Sequence, residues 1–362
     1  MNPLLEVRQL GQQLWLDNLS RTLLRDGHLA RMIAEDGISG VTTNPAIFHK
    51  AIADGRYYED DLAALKAGAL DAEGRYEALV IPDVQAACDL LLPTFQASGG
   101  QAGYVSLEVS PALAHDAAGT IAAGQRLAQA VGRDNLLIKV PATVPGLEAI
   151  TGLIAGGLNV NVTLMFSLAH VDAVAEAYVA GLQALQRNGG DVSRIMSVAS
   201  VFMSRVDTLI DAQLAQFDQG LGNTHTSLRG KTAVAMARLA YQRYLARFEG
   251  ESFAALRAAG ARPQYMLWAS TGTKNPAYSD LLYVESVIGP DTINTLPDAT
   301  LAALRDHGKA VRTLDQEVAA AEAQFSALDS LGIDLQAAGE HLQAEGLRQF
   351  DQAFSGLIAL MR

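Results

Sequence analysis

One lysine of this chain differs from the others in its surroundings. Lys139 lies within the apolar run 136–141, whereas the other lysines lie in helical or loop segments open to solvent. These other lysines are Lys50, Lys66, Lys231, Lys274 and Lys309. Burial of an amine is costly, and it lowers the pKa of a lysine and so leaves the nitrogen nucleophilic. We therefore predict that Lys139 forms a Schiff base with a carbonyl substrate. The alternative is a structural ion pair between Lys139 and Glu108.

Two carboxylates accompany this lysine on neighbouring predicted strands. In the run 105–109, alternation places Glu108 on the same face as Ser106 and opposite the valines and leucine. Glu108 is predicted to shuttle protons during imine formation, or to serve only as a charge partner. Asp17 ends the run 13–17 and is predicted to move a hydroxyl proton during carbon–carbon cleavage. Its alternative role is to cap the next helix.

Uncharged polar side chains follow or occupy further strands. Asn44, Asn161 and Thr163 could bind the hydroxyls of a sugar-like substrate without changing the charge near the lysine. The dipeptide Asn44-Pro45 could equally form a turn. An amide such as Asn161 in an apolar strand needs hydrogen-bonding partners.

A phosphate site is predicted beyond the sixth and seventh strands. Arg205 follows the run 195–202, and Ser270 and Lys274 end and follow the run 264–270. Loops after late strands commonly hold phosphate in barrels, and Arg and Lys supply the positive charge.

The elements that position these residues alternate between short apolar runs and helix-period segments such as 117–131, 168–186, 204–217 and 232–246. The eight runs are 13–17, 38–42, 103–109, 135–140, 157–163, 195–202, 264–270 and 291–296. Eight strand–helix units predict a (β/α)₈ TIM barrel with additional helices, whose reactive groups lie at the carboxyl ends of the strands. A doubly wound open sheet is the runner-up, but the first strand lacks its Gly-rich turn.

We predict one domain over residues 1–362, with a helical insert at about 46–99 and a helical C-terminal extension at about 310–362. The insert is expected to hold two or three helices around 57–69 and 80–94. The last helix carries Leu347, Phe350, Phe354, Leu357 and Ile358 on one face, and it should lie outside the barrel or across one end.

Composition excludes several classes of function. A net charge of −12 argues against a nucleic-acid partner, although two or three local cations suffice for a small phosphorylated substrate. The single Cys88 fits a reducing compartment. No signal peptide or membrane-spanning stretch is expected, so we predict a soluble, cytoplasmic protein. The histidines are scattered without metal-ligand spacing, and no catalytic metal is expected.

Taken in order, the strand-end segments resemble the transaldolase family over roughly residues 13–297. The matching segments are WLDN at Asp17, GVTTNP at Asn44, VSLEV at Glu108, LIKVPAT at Lys139, NVNVTLMFS at Asn161, ASVFMSR from Ser200 to Arg205, and WASTGTKNPAYSD from Ser270. The length and the STGTKNP segment are similar to the longer bacterial branch of this family.

The resemblance implies a (β/α)₈ enzyme of the class I aldolase type that needs no cofactor. Lys139 would attack fructose 6-phosphate or sedoheptulose 7-phosphate, Glu108 would assist dehydration, and Asp17 would take the C4 hydroxyl proton. The resemblance further implies that Asn44, Asn161 and Ser200 hold a three-carbon enamine until an aldose phosphate accepts it.

Three functional readings stay open at this point: a transaldolase, a lyase similar to fructose 6-phosphate aldolase, and a non-catalytic sugar-phosphate-binding barrel. Many family members carry an arginine two residues after the serine that Ser270 matches, where this chain has Gly272. Lys274 is then the nearest cation. The sequence leaves open whether the protein is a monomer or a homodimer.

Overall fold

The computed structural model describes residues 2–218 and 225–362, in which eight parallel strands close into a barrel in sequence order. The strands are β1 (Gln12–Leu16), β2 (Gly40–Val41), β3 (Tyr104–Glu108), β4 (Leu136–Pro141), β5 (Val160–Met165), β6 (Ser197–Phe202), β7 (Tyr265–Ala269) and β8 (Thr292–Leu296). The predicted TIM barrel is confirmed. The predicted fifth strand was placed too early, because Gly157 turns the chain with φ +84° and leaves Asn159 before β5.

Register places the candidate residues on the inner face of the barrel. Glu108 pairs with Lys139 across β3 and β4, and Lys139 pairs with Asn161 across β4 and β5. Directly paired residues of parallel strands share a face, and side chains alternate along each strand. The polar Asn294, by contrast, lies on the outer face of β8, where it donates to the Tyr283 carbonyl at 3.1 Å.

The interior below this polar layer is filled by large side chains. Trp15 on β1 is fully buried, and its indole occupies the place that a Cβ on Gly40 of β2 would need. A glycine at this position therefore lets the indole close the barrel interior beneath Asp17.

Replacing Gly40 with alanine should lower the free energy of unfolding by about 1–3 kcal/mol, because the added methyl group overpacks the interior against Trp15. Urea denaturation measures this change. The matched control is Gly68→Ala, an exposed position where a Cβ would come no closer than 3.3 Å to a neighbouring atom. Equal stability of the two variants would contradict the packing argument.

Helices surround the barrel, and several begin immediately after a strand with a capping side chain. Asn44, Thr143 and Ser167 each accept a backbone hydrogen bond in the first turn of the following helix. The helices up to β3 are α1 (Pro3–Gln9), α2 (Arg21–Arg25), α3 (His28–Arg31), α4 (Pro45–Ala53), α5 (Glu59–Lys66) and α6 (Ala72–Ala97). Those between β3 and β7 are α7 (Ala117–Val131), α8 (Val144–Ala155), α9 (Leu168–Arg187), α10 (Ser204–Phe217), α11 (Thr232–Phe248) and α12 (Ala254–Ala258). The last four are α13 (Leu282–Glu285), α14 (Asp298–His307), α15 (Val318–Ser330) and α16 (Leu335–Leu360).

The segment between β2 and β3 contains α4, α5 and α6. Helix α6 is long and apolar enough to cross a membrane by length and composition alone, although no membrane-spanning stretch is expected from the sequence. Leu79, Val84 and Leu91 on this helix are fully buried in the protein. Its buried Asp83 accepts a hydrogen bond from Arg21 at 2.9 Å, which joins α6 to the helix that follows β1. These contacts pack one face of α6 against the rest of the protein.

Helix α16 lies across the carboxyl end of the barrel. Gln343 donates to the carbonyls of Ala142 and Leu164 at 3.0 and 3.1 Å; Ala142 directly follows β4, and Leu164 is the residue before the last of β5. Gly346 permits close approach, since a Cβ there would lie 2.9 Å from the Leu164 side chain. Of the two positions expected from the sequence, beside the barrel or across one end, the second is found.

Candidate active site

Lys139 lies in the barrel interior at the carboxyl end of β4. Its amine donates to the Thr43 carbonyl at 2.9 Å and to Glu108 Oε2 at 3.2 Å. The side chains of Lys139 and Glu108 are each only 6% exposed, whereas the other lysines are exposed. A buried amine with few partners is available as a nucleophile once it loses its proton.

The Glu108 carboxyl is positioned to exchange a proton with that amine. Burial raises the pKa of Glu108, while the positive charge of Lys139 acts in the opposite direction. A carboxyl whose pKa is raised from its usual value can hold a proton nearer neutral pH and release it again. The ion pair foreseen as a structural alternative is present, and it is compatible with proton transfer.

Asp17 follows β1 and is held by a chain of hydroxyls. Thr42 Oγ1 donates to Asp17 Oδ1 at 2.7 Å, and Thr295 Oγ1 lies 2.6 Å from Thr42 Oγ1. Burial raises the pKa of Asp17, whereas the Lys139 charge and the Thr42 hydrogen bond lower it. The carboxylate therefore lies within the field of the lysine, with its orientation fixed by Thr42.

Three hydrogen-bonded polar side chains span the barrel interior from β3 to β6. Asn161 donates to Ser106 Oγ at 2.9 Å and accepts from Ser200 Oγ at 2.7 Å, and all three side chains are buried. This supplies the partners that the buried Asn161 amide requires. In contrast, Thr163 Oγ1 on the same face of β5 is buried and has no hydrogen-bond partner in the described part of the chain. Its hydroxyl is therefore free for a ligand.

Asn44 has a structural role other than the turn that the Asn44-Pro45 dipeptide suggested. Its Oδ1 accepts from the Ile47 backbone at 3.0 Å and so caps α4. The Nδ2 nitrogen of the same amide group remains a potential donor to a ligand.

The cationic residues differ in how they are placed. Arg205 is partly buried in the first turn of α10, with its guanidinium 5.6 Å from the centre of the Phe202 ring. Within residues 2–218 and 225–362 it forms no ion pair, and burial lowers its pKa. Ser270, which follows β7, has a φ of +54°. Its hydroxyl lies 2.9 Å from the hydroxyl of Ser204, the residue that precedes Arg205 on α10. Lys274 is exposed in the loop after β7 and has no hydrogen bond or ion pair to the described residues.

Several contributors were not assigned roles from the sequence. Thr42 orients Asp17, the Thr43 carbonyl accepts from Lys139, and Ser106 anchors Asn161. The strand-end position of Thr42 and Thr43 was a usable signal. No comparable signal marked Phe350 of α16, whose ring centre lies 5.7 Å from the Lys139 amine. Among the described residues, no cluster of three His, Cys, Asp or Glu side chains could hold a metal ion.

Comparisons with known proteins cover nearly the full chain. The family model for transaldolase/fructose-6-phosphate aldolase matches residues 14–361. The chain is 57% identical to the transaldolase of Thiobacillus denitrificans over 360 residues, which cover 99% of each protein. It is 47% identical to the transaldolase of Neisseria gonorrhoeae over 359 residues, again covering 99% of each. It is 42% identical to transaldolase 2 of a Nostoc species over 366 residues, covering 99% of this chain and 96% of that protein.

Proposed function

The chain belongs to the transaldolase/fructose-6-phosphate aldolase family, and on that premise we propose that it transfers a dihydroxyacetone unit from a ketose phosphate to an aldose phosphate. The donors are sedoheptulose 7-phosphate and fructose 6-phosphate, and the acceptors are glyceraldehyde 3-phosphate and erythrose 4-phosphate. The observation that carries the proposal is the buried Lys139 amine, 3.2 Å from the Glu108 carboxyl at the carboxyl end of the barrel.

The first half of the reaction attaches the donor and breaks its carbon chain. Lys139 attacks the ketone carbon, and the carbinolamine loses water to give an imine while Glu108 transfers the protons. Asp17 then accepts the C4 hydroxyl proton as the C3–C4 bond breaks. The electron pair of that bond moves to the imine nitrogen, the aldose phosphate leaves, and a three-carbon enamine stays on Lys139. The protonated imine is the electron sink, so the residues themselves supply the chemistry.

The second half runs these steps in reverse on a new aldehyde. The enamine carbon attacks the acceptor carbonyl, Asp17 returns its proton to the new hydroxyl, and water releases the product ketose from Lys139. We propose that Asn44, Asn161, Thr163 and Ser200 bind the hydroxyls of the three-carbon unit. The free hydroxyl of Thr163 and the amide nitrogen of Asn44 support this assignment.

A direct test uses trapping and transfer together. The protein is incubated with fructose 6-phosphate and borohydride, and the reduced adduct is mapped by peptide mass spectrometry. We expect the label on Lys139. Addition of erythrose 4-phosphate without borohydride should yield sedoheptulose 7-phosphate. A label elsewhere would overturn the assignment of the nucleophile, and free dihydroxyacetone as the only three-carbon product would overturn transfer.

Arg205 is proposed as the principal phosphate ligand, with Ser270 and Lys274 assisting. Replacing Arg205 with glutamine should lower kcat/KM for phosphorylated substrates by about 10- to 100-fold, because a charged hydrogen bond to phosphate is worth roughly 1.5–3 kcal/mol. The effect should appear mainly in KM, as measured in steady-state assays.

Lys274→Gln is the matched comparison, since Lys274 is exposed and Arg205 partly buried. We expect a smaller loss for Lys274→Gln. A larger loss there than for Arg205→Gln would move the main phosphate contact to the loop after β7.

The proposal includes a cytoplasmic location and action on small sugar phosphates, as a monomer or a homodimer. The chain's similarity to enzymes named transaldolase and the packing of one face of α6 within the protein support a soluble protein.

A further inference from the structure

Phe350 is the aromatic residue of α16 that covers the Lys139 amine. Its ring centre lies 5.7 Å from Lys139 Nζ, and the residue is only 7% exposed. The amine is thus bounded by the Thr43 carbonyl, the Glu108 carboxyl and the face of an aromatic ring. The first two groups accept hydrogen bonds from the amine, whereas the ring offers neither a proton nor a site for water.

The position of this ring is set by contacts on the same face of α16. Gln343, two turns earlier, binds the carbonyls of Ala142 and Leu164 at the ends of β4 and β5. Gly346, one turn earlier, lets the helix approach Leu164 and the Arg205 guanidinium, which would lie 2.9 and 3.6 Å from an added Cβ. A residue at i+4 from Gly346 projects from that face toward the barrel interior.

An aromatic ring over the Lys139 amine can affect the fate of the three-carbon intermediate. The enamine on Lys139 has two fates. Its carbon can attack an acceptor aldehyde, or it can take a proton from water and become an imine again. In the second case hydrolysis consumes one water molecule, frees the lysine amine and releases dihydroxyacetone, so the net reaction is cleavage of the ketose phosphate. Excluding water from the site suppresses this side reaction.

We propose that Phe350 is a specificity-determining residue that favours transfer over cleavage by keeping water from the enamine on Lys139. The inference rests on the proposed transaldolase function and extends it to a residue outside the strand ends. The C-terminal extension then packs on the barrel and also influences whether transfer or cleavage occurs.

Phe354 provides a control from the same helix. It lies one turn after Phe350, and its ring packs edge-on against Tyr76 of α6, with 5.7 Å between the ring centres. It therefore contributes to the contact between α16 and the insert. Loss of either phenyl ring removes apolar packing, but of the two rings Phe350 is the one that the Lys139 amine lies over.

The test measures a ratio that general loss of packing would not change. Phe350→Ala, Phe350→Leu and Phe354→Ala are given fructose 6-phosphate with erythrose 4-phosphate. Free dihydroxyacetone and sedoheptulose 7-phosphate are then quantified, well below the unfolding temperature of each variant. We expect the ratio of cleavage to transfer to rise by about tenfold or more in Phe350→Ala, less in Phe350→Leu, and not in Phe354→Ala.

Each outcome bears on one proposal. If the unaltered protein forms neither the Lys139 adduct nor sedoheptulose 7-phosphate, the proposed function fails. If the unaltered protein transfers normally but the ratio is unchanged in Phe350→Ala, or rises equally in Phe354→Ala, the assignment of Phe350 is overturned. If Phe350→Ala does not fold, Phe350→Leu must still raise the ratio for the assignment to stand.

Discussion

Lys139→Met should lose at least about 10⁴-fold in kcat/KM and should form no borohydride-stable adduct, since removal of a covalent nucleophile leaves only binding and general electrostatics. Methionine keeps an unbranched side chain of similar length in the buried site. Without its cationic partner, the buried Glu108 carboxyl should become protonated more readily, because burial already raises its pKa. Coupled assays of sedoheptulose 7-phosphate formation measure the loss of activity, and intact-protein mass spectrometry measures the loss of the adduct.

The matched control is Lys309→Met, which makes the same exchange at an exposed position. It should retain full activity and trap the donor normally. Activity of Lys139→Met within tenfold of the unaltered protein would remove Lys139 from the mechanism. An adduct that persists in Lys139→Met would show that another amine carries the substrate.

Asp17→Asn should lower kcat by about 10²- to 10⁴-fold, the range expected for loss of a general acid–base group. Asparagine can still accept the Thr42 hydrogen bond, which is 2.7 Å long in the aspartate form, so the geometry of the site should be conserved. Because Asp17 acts after imine formation, the variant should still form the Lys139 adduct with fructose 6-phosphate. Single-turnover release of glyceraldehyde 3-phosphate, compared with adduct yield, separates the two steps.

The pH profile gives a second signature of Asp17. Burial raises its pKa, and the deprotonated form is needed to accept the C4 hydroxyl proton. Cleavage should therefore decline as pH falls through a value above the ordinary aspartate range of about 4, and this limb should vanish in Asp17→Asn. Asp329→Asn, at an exposed carboxylate on α15, should change neither rate nor profile by more than a small factor. Loss of the adduct in Asp17→Asn would instead place Asp17 in imine formation.

Much of the architecture was predictable from periodicity. The alternation of apolar runs with helix-period segments predicted the barrel, which is confirmed. Helices α7 and α10 begin and end at the predicted residues. The family resemblance, and with it the transaldolase function, is confirmed by the full-length relatives. The individual roles of the site residues stay predictions, as do the boundaries of the insert and of the C-terminal extension.

Lys139 was identifiable because a single charged residue in an apolar strand has few explanations. The same reasoning placed Glu108 on the inner face of β3, where alternation is simple. It was less effective for Asn44, which also caps a helix, and for Asn161, whose amide also forms hydrogen bonds with Ser106 and Ser200. Local spacing identifies a polar side chain on a face, but it does not say which partner that side chain meets.

The order of strands and helices, the face on which each strand presents its polar residues, and the unusual lysine follow from short-range patterns that the chain carries by itself. The pairing of Asn161 with two serines, the Thr42 contact with Asp17 and the cover of Phe350 over Lys139 depend on contacts between residues far apart in the chain. Barrel register and the angle at which α16 crosses the mouth set those contacts. Both arise when many weak packing interactions are satisfied together, so no local pattern encodes them.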